Sequence, residues 1–154
     1  MSQIEFKNVT KEYIPGIKVL DDVSFSIEKG EFVFIIGPSG AGKSTLVKLL
    51  LREEHPESGE IFFEGRNIAE ITPDEMPDYR RKIGVVFQDY KLLDSKTVYD
   101  NVAISLEVVN ADEQDIKRIV PNVLSLVGLL DHSSYKPEEL SGGEKQRVSI
   151  ARAL

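Results

Sequence analysis

Residues 37–45 read GPSGAGKST, between the apolar run EFVFII at 31–36 and LVKLLL at 46–51. Gly37, Gly42, Lys43 and Ser44 stand at the fixed positions of G-x-x-x-x-G-K-[ST]. Glycines let the backbone take positive φ and approach a ligand without a Cβ in the way. Successive N–H groups can then point inward, and the first turn of a following helix adds the positive end of its dipole. In such a loop Lys43 supplies a mobile cation for β- and γ-phosphates, and the Ser44 hydroxyl suits Mg²⁺. Thr45 is placed for the α-phosphate. A flexible turn would need neither the lysine nor the hydroxyls. At background composition the pattern arises by chance in a chain of this length about once in a hundred. The flanks meet the further requirement that the motif follow a strand and open a helix.

The surroundings of this loop set the fold class. IEFKNVTKEY (4–13) and VLDDVSFSI (19–27) alternate apolar and polar residues, which predicts two half-buried antiparallel strands. GEFVFIIG (30–37) and IGVVFQ (83–88) are apolar at nearly every position, the pattern of strands covered on both faces. Residues 43–52 predict a helix, HPESGEIFFEGRNI (55–68) a turn, a strand and a turn, and the chain turns helical from about Val98. Ile116, Ile119, Val120, Val123, Leu124 and Val127 recur three and four apart, one face of a helix that Pro121 should kink or restart. LSGGEKQRVSIARAL (140–154) predicts a loop and a last helix. Strands followed by helices around one phosphate loop predict an α/β architecture.

Composition removes several function classes. The 154 residues carry a formal charge of −7, which disfavours nucleic acid or an anionic membrane surface as the main partner. There is no cysteine, which excludes disulfides, thiolate metal sites and thiol catalysis. His55 and His132 lie far apart beside turn residues and predict lone surface histidines rather than metal ligands. MSQIEFKNVTKEY has no basic segment followed by an apolar one, and no apolar stretch approaches the roughly 20 residues of a membrane span. The expectation is a cytoplasmic protein with no direct membrane insertion.

A phosphate loop alone does not specify the kind of nucleotide hydrolase. LSGGEKQ (140–146) is the discriminating stretch. Ser141 and Glu144 form S-x-x-E, a capping box for the last helix. That leaves Gly142 and Gly143 unexplained, since glycines are poor helix formers but leave N–H groups open to an anion. The segment resembles LSGGQ, the signature of the ATP-binding cassette (ABC) ATPases, with Glu144 at the glutamine position. The resemblance covers the whole chain. It implies a P-loop NTPase fold: an antiparallel β subdomain, an incomplete RecA-like core, and a helical subdomain with the signature. On this reading 1–95 holds the β subdomain and phosphate-loop core, and 96–154 the helical subdomain.

The resemblance also implies roles. ATP and Mg²⁺ would be held by Gly37, Pro38, Ser39, Gly40, Ala41, Gly42, Lys43, Ser44 and Thr45. In a head-to-tail dimer, Ser141, Gly142, Gly143 and Glu144 of one copy would close on the γ-phosphate held by the other. Tyr13, in VTKEY, sits where the family stacks an aromatic on adenine; it also reads as an ordinary aromatic at a strand end. Gln88 matches the glutamine that reaches Mg²⁺ and the attacking water, and it also reads as a turn residue after a strand. VVFQDYKLLDSKTVYDNVAISLEV (85–108) is similar to the cell-division branch of the family, which pairs with an integral membrane subunit. Lipoprotein-release, macrolide-export and methionine-import ATPases share much of the pattern. Tyr90, Leu92, Leu93 and Tyr99 fall where that subunit docks, or else are core.

In the family the chain continues to a hydrophobic strand ending in Asp-Glu, a D-loop and a switch histidine. The expectation is therefore the N-terminal portion of one nucleotide-binding domain, with the parent an ATPase placed at the inner membrane face by its partner. Phosphoryl transfer depends on positioning and on charge neutralisation, so these 154 residues alone are expected to bind nucleotide and hydrolyse it poorly. A soluble ABC protein of ribosomes or DNA repair would show two cassettes or a long coiled coil, and neither pattern is present. A purely nucleotide-binding, non-catalytic fragment is the remaining alternative.

Overall fold

The computed structural model describes residues 2–154, which divide into two compact units at Ile83/Gly84. The first unit is built on a hairpin, β1 (Ser2–Ile14) and β2 (Ile17–Glu28), as the alternation predicts. β3 (Ser58–Phe63) pairs antiparallel with β1, and the short β4 (Arg66–Asn67) pairs with β3, giving the order β2-β1-β3-β4. A bulge in β1 decides which residues face inward. Asn8 takes φ 49°, the pairing shifts between Phe6 and Val9, and both of those side chains are buried. From Val9 the two-residue period carries Lys11 to the same side. Gly59 is required opposite the bulge: its φ is +89°, and a Cβ there would lie 2.4 Å from the Asn8 carbonyl oxygen.

Helix α1 (Lys43–Leu50) lays Leu49 into the core of this unit beside Phe6, Val9, Ile61 and Phe63. Phe6 stacks on Phe25 at 4.7 Å, and Phe63 meets the edge of Tyr79 at 5.5 Å. Each large apolar side chain buried in this way contributes about 1.5–3 kcal/mol. Tyr79 stands on α2 (Met76–Arg81), whose side chains take up the carbonyls at the C-terminal end of α1. The Tyr79 hydroxyl donates to the Leu50 carbonyl, and Arg80 Nε donates to that of Leu51 at 3.0 Å.

Two predicted strands do not form. Residues 31–38 and 84–87 carry no strand pairing, and Phe32 and Ile36 are 83% and 89% exposed. A run that is apolar on both faces becomes a strand only where neighbouring strands take its N–H and C=O groups. No described segment pairs with either run.

The second unit is helical: α3 (Val98–Glu107), α4 (Glu113–Leu126) and α5 (Gly142–Ala153). They close around Val98, Val102, Val120, Leu124, Leu129 and Val148. The face predicted from the three-and-four spacing is the buried face of α4. Pro121 neither restarts nor ends that helix, which runs through it. It removes one backbone donor, and the packing of Val120 and Leu124 on either side holds the helix through the gap. Thr97 and Asp100 cap α3 reciprocally, and the Asp112 carboxylate accepts from Gln114 N–H at the head of α4. Among the described residues no helix is long and apolar enough to cross a membrane.

Candidate functional site

The phosphate loop belongs to the first unit. Gly42 is the residue before α1, with φ 81° and ψ 6°, and it opens the helix with no side-chain cap. A Cβ at Gly42 would come 2.8 Å from Leu20 Cδ2 and 2.9 Å from the Val19 carbonyl oxygen, so the loop is pressed onto β2. Gly40 shares the left-handed conformation, φ +83°, but faces open space. Lys43 folds back over the loop, its Nζ donating to the carbonyls of Gly37 at 2.8 Å and Pro38 at 2.7 Å. Pro38, Ser39 and Ala41 are exposed, Ser44 is exposed beside them, and Thr45 is buried beneath. No acidic residue stands in the first turn of α1. Open N–H groups, a helix N-terminus and one ammonium make a local anion socket on an acidic chain.

Tyr13 lies at the far end of β1, 47% exposed, with Lys48 Nζ of α1 6.0 Å from its ring centroid. The aromatic and the phosphate loop thus belong to the same unit. Lys11 Nζ stands 5.3 Å from the same centroid. Burial by itself would lower the Lys11 pKa, but the hydrogen bond and charge of Glu57, with Glu54 behind, leave it raised. The Glu57 carboxyl is held low, first by the Glu12 backbone N–H and also by Lys11.

The second unit holds the other predicted residues. Gln88 is exposed. Two residues on, Tyr90 and Lys91 take φ 58° and 49°, a left-handed pair held from α5 by Arg152. Ser141 caps α5 as S-x-x-E predicts: Glu144 Oε2 accepts from Ser141 N at 2.8 Å and from its hydroxyl at 2.6 Å. These bonds come first in holding the Glu144 carboxyl below its ordinary range, and the charges of His132 and Arg147 add to them. Gly142 and Gly143 are exposed in the first turn. Neither has positive φ, and a Cβ would meet nothing nearer than Tyr90 Oη at 3.5 Å and Arg147 Nη1 at 3.9 Å. Packing inside this chain therefore does not demand the glycine pair.

His55 is exposed as predicted, but His132 is not a lone surface histidine. It is half-buried, its Nε2 is 3.6 Å from Glu144 Oε1, and its ring meets Tyr135. Of the apolar run after Gln88, Leu92 and Tyr99 pack on the helical core, while Leu93 is exposed.

Among the described residues no group of three or more His, Cys, Asp or Glu could hold a metal ion. Mg²⁺ that arrives on phosphate oxygens needs no such cluster, since it keeps several of its waters and takes only one or two ligands from the protein. The hydroxyl of Ser44, at the head of α1 within the loop, is a ligand of that kind, and the loop fits a magnesium–nucleotide complex.

The ABC transporter family pattern matches residues 20–154. The chain belongs to the ABC transporter family. It is 51% identical to the cell division ATP-binding protein FtsE of Bacillus subtilis, across 98% of the chain and 66% of that protein. Against FtsE of Streptococcus pneumoniae serotype 2 it is 49% identical, across 100% of the chain and 67% of the relative. Among solved structures, the ATP-binding cassette MJ0796, a dimer in a post-hydrolysis state bound to ADP and Pi, matches with TM-score 0.87 and 36% identity. That match covers 98% of this chain and 68% of MJ0796. The chain spans about two-thirds of the length of the relatives it matches.

Sequence reading of this cassette missed three residues that shape its sites. Lys11 is 7% exposed although lysine reads as solvent-facing. Asn101 is fully buried; its amide donates to the carbonyls of Leu93 and Thr97 and its oxygen accepts from Leu93 N–H, fixing the loop before α3. Arg152 reads as an ordinary basic residue of a last helical turn. Lys11 turns inward only because of the bulge at Asn8, and no pattern in the sequence marks any of the three.

Proposed function

We propose that this cassette is the nucleotide-holding part of the ATP-binding subunit of a cell-division complex, working with an FtsX-like integral membrane subunit. The observation that carries the reading is the loop Gly37–Thr45, with Lys43 bridging the Gly37 and Pro38 carbonyls at the head of a helix free of acidic residues in its first turn. The half-identity to FtsE proteins narrows a general ATP site to the cell-division branch.

In this reading an entering triphosphate replaces the two carbonyls as partner of Lys43. The ammonium moves from neutral acceptors to the β- and γ-phosphates, a stronger charge-assisted contact. Free backbone N–H groups of the loop hold the remaining oxygens, and Tyr13 stacks on the base. The Ser44 hydroxyl would hold Mg²⁺ on the phosphates, where the ion would supply neutralisation of their charge. The exposed glycine pair, unneeded by internal packing, fits an anion brought by a second copy: Ser141, Gly142 and Gly143 would close on the γ-phosphate in a head-to-tail dimer. Closure passes through Gln88 to the membrane subunit, which keeps the cassette at the inner face of the membrane. The 154 residues by themselves bind ATP and turn it over slowly, while the parent protein is the ATPase.

Calorimetric titration of Mg-ATP into the chain tests this. Lys43→Ala is expected to weaken binding by about 10- to 100-fold, from a charge-assisted contact of about 1.5–3 kcal/mol. Unchanged affinity would remove the nucleotide reading. Co-purification of the parent with a membrane subunit tests the partner.

A further inference from the structure

We propose that Lys11 is a positioning residue for the nucleotide base, fixing the ring of Tyr13 as its stacking platform. The inference rests on reading Tyr13 as the base-stacking residue.

Lys11 is the one buried cation among the described residues. A buried ammonium is costly unless every proton finds an acceptor. Here the acceptors are the His55 carbonyl at 2.8 Å, Glu57 Oε1 at 3.2 Å and Glu54 Oε2 at 3.5 Å. Two hydrogen bonds and one longer ion contact, from three separate residues, hold the ammonium in place. The second Glu57 oxygen accepts from the Glu12 N–H at 2.8 Å, and Glu12 Oε2 accepts from the Gly16 N–H at 2.8 Å. One carboxylate thus ties down the Lys11 side chain and the peptide that leads into Tyr13, while the next closes the turn beyond it.

Within this braced strand end, Tyr13 alone puts a large ring toward solvent. Its centroid lies 5.3 Å from the fixed Lys11 Nζ, inside cation–π range. A structural role would be served as well or better by an apolar side chain, because buried ion pairs seldom outdo well-packed hydrophobes. What the ion network adds is a charge at a set distance from an aromatic ring. A ring held there loses little freedom when a purine stacks on it.

The test is calorimetry on the whole chain with two probes, Mg-ATP and Mg-tripolyphosphate, which has the phosphates and no base. Stacking on an aromatic is worth roughly ten-fold or more in affinity when removed by alanine. Tyr13→Ala is therefore expected to weaken ATP about ten-fold and leave tripolyphosphate unchanged. Lys11→Met should weaken ATP about five-fold, again sparing tripolyphosphate, with the double variant no weaker than Tyr13→Ala. Lys11→Arg should recover most of the loss. Glu57→Gln keeps an oxygen for the Glu12 N–H and serves the same comparison should Lys11→Met not fold. If Tyr13→Ala weakens ATP while the Lys11 and Glu57 variants stay within two-fold of the parent, Lys11 has no such role and the platform stands. Equal loss for both probes means general damage and overturns the proposal. An unsubstituted chain binding neither probe removes the nucleotide reading, and this proposal with it.

Discussion

Arg152 holds Tyr90: one guanidinium nitrogen donates to the Tyr90 carbonyl at 2.8 Å, and the other to the carbonyl of Lys91 at 2.6 Å. Both held residues are left-handed without being glycine, a conformation costing roughly 1–2 kcal/mol each. Burial pulls the Arg152 pKa down, yet a guanidinium stays charged at neutral pH. Helix α5 thus grips, near its C-terminal end, the turn that follows Gln88. Arg152→Ala should destabilise the second unit by about 2 kcal/mol. It should also speed amide exchange at residues 90–92 ahead of the rest of the unit. Arg152→Lys keeps the charge but not the fork, and should fall between. Hydrogen exchange read by mass spectrometry decides, and uniform protection across the variants would show that the turn holds itself.

The two left-handed glycines of the phosphate loop should respond unequally to alanine. At Gly40 the added methyl enters open space, so only conformational cost remains, about 1–2 kcal/mol. At Gly42 the same cost is joined by a contact of 2.9 Å with the Val19 carbonyl, a backbone atom that cannot swing aside. Gly42→Ala is expected to lose about 3 kcal/mol or more without any nucleotide present. Thermal unfolding of the two variants should separate by several degrees. Equal melting temperatures would mean that the loop does not press on β2 as described.

What the sequence revealed, and what it hid, divides by how local the cause is. The hairpin was legible because one face of each strand is wet, so alternation survives. The capping box at Ser141 was legible because four consecutive residues suffice to make one. The phosphate loop was legible because its chemistry demands a fixed order of residue types. EFVFII and IGVVFQ failed because strand formation there is a property of neighbours, not of the run. At Pro121 the helix does not restart, because the packing of Val120 and Leu124 offsets the lost hydrogen bond. Lys11 and Arg152 escaped because their acceptors lie more than about 40 residues away in the chain.

The C-terminal end of α1 should depend on α2. The carbonyls of Val47, Lys48 and Leu49 accept from N–H groups of the turn after the helix, which leaves those of Leu50, Leu51 and Arg52. Tyr79 and Arg80 supply the donors for these three, the last through Arg80 Nη2 at 3.3 Å. Burial pushes the Tyr79 hydroxyl up to about 12, which keeps it a donor throughout the neutral range. Tyr79→Phe should cost about 1 kcal/mol and Tyr79→Phe/Arg80→Ala more. Urea denaturation measures the loss, and exchange at residues 47–50 locates it. A double variant as stable as the parent would show that water serves these carbonyls equally well.

Stability of the first unit should also fall in acid through Glu75. Its carboxylate accepts from Arg66 Nη1 at 2.9 Å and Nη2 at 2.8 Å, from the Thr72 N–H at 2.9 Å and from the Thr72 hydroxyl at 3.0 Å. The Arg66 bonds first, then those from Thr72, pull its pKa from 4.5 to about 2. A folded pKa below the unfolded one means that the ionised form stabilises the fold. That contribution is complete above the ordinary carboxylate value and drains away as pH falls toward 2. The gap in denaturation midpoint between the parent and Glu75→Gln should therefore be constant from neutral pH to about 5, and narrow steadily below that. Because the pair is exposed, added salt should narrow it too. A gap that persists undiminished at pH 2 would assign the effect of the substitution to packing, and the Arg66–Glu75 pair would have no part in holding α2.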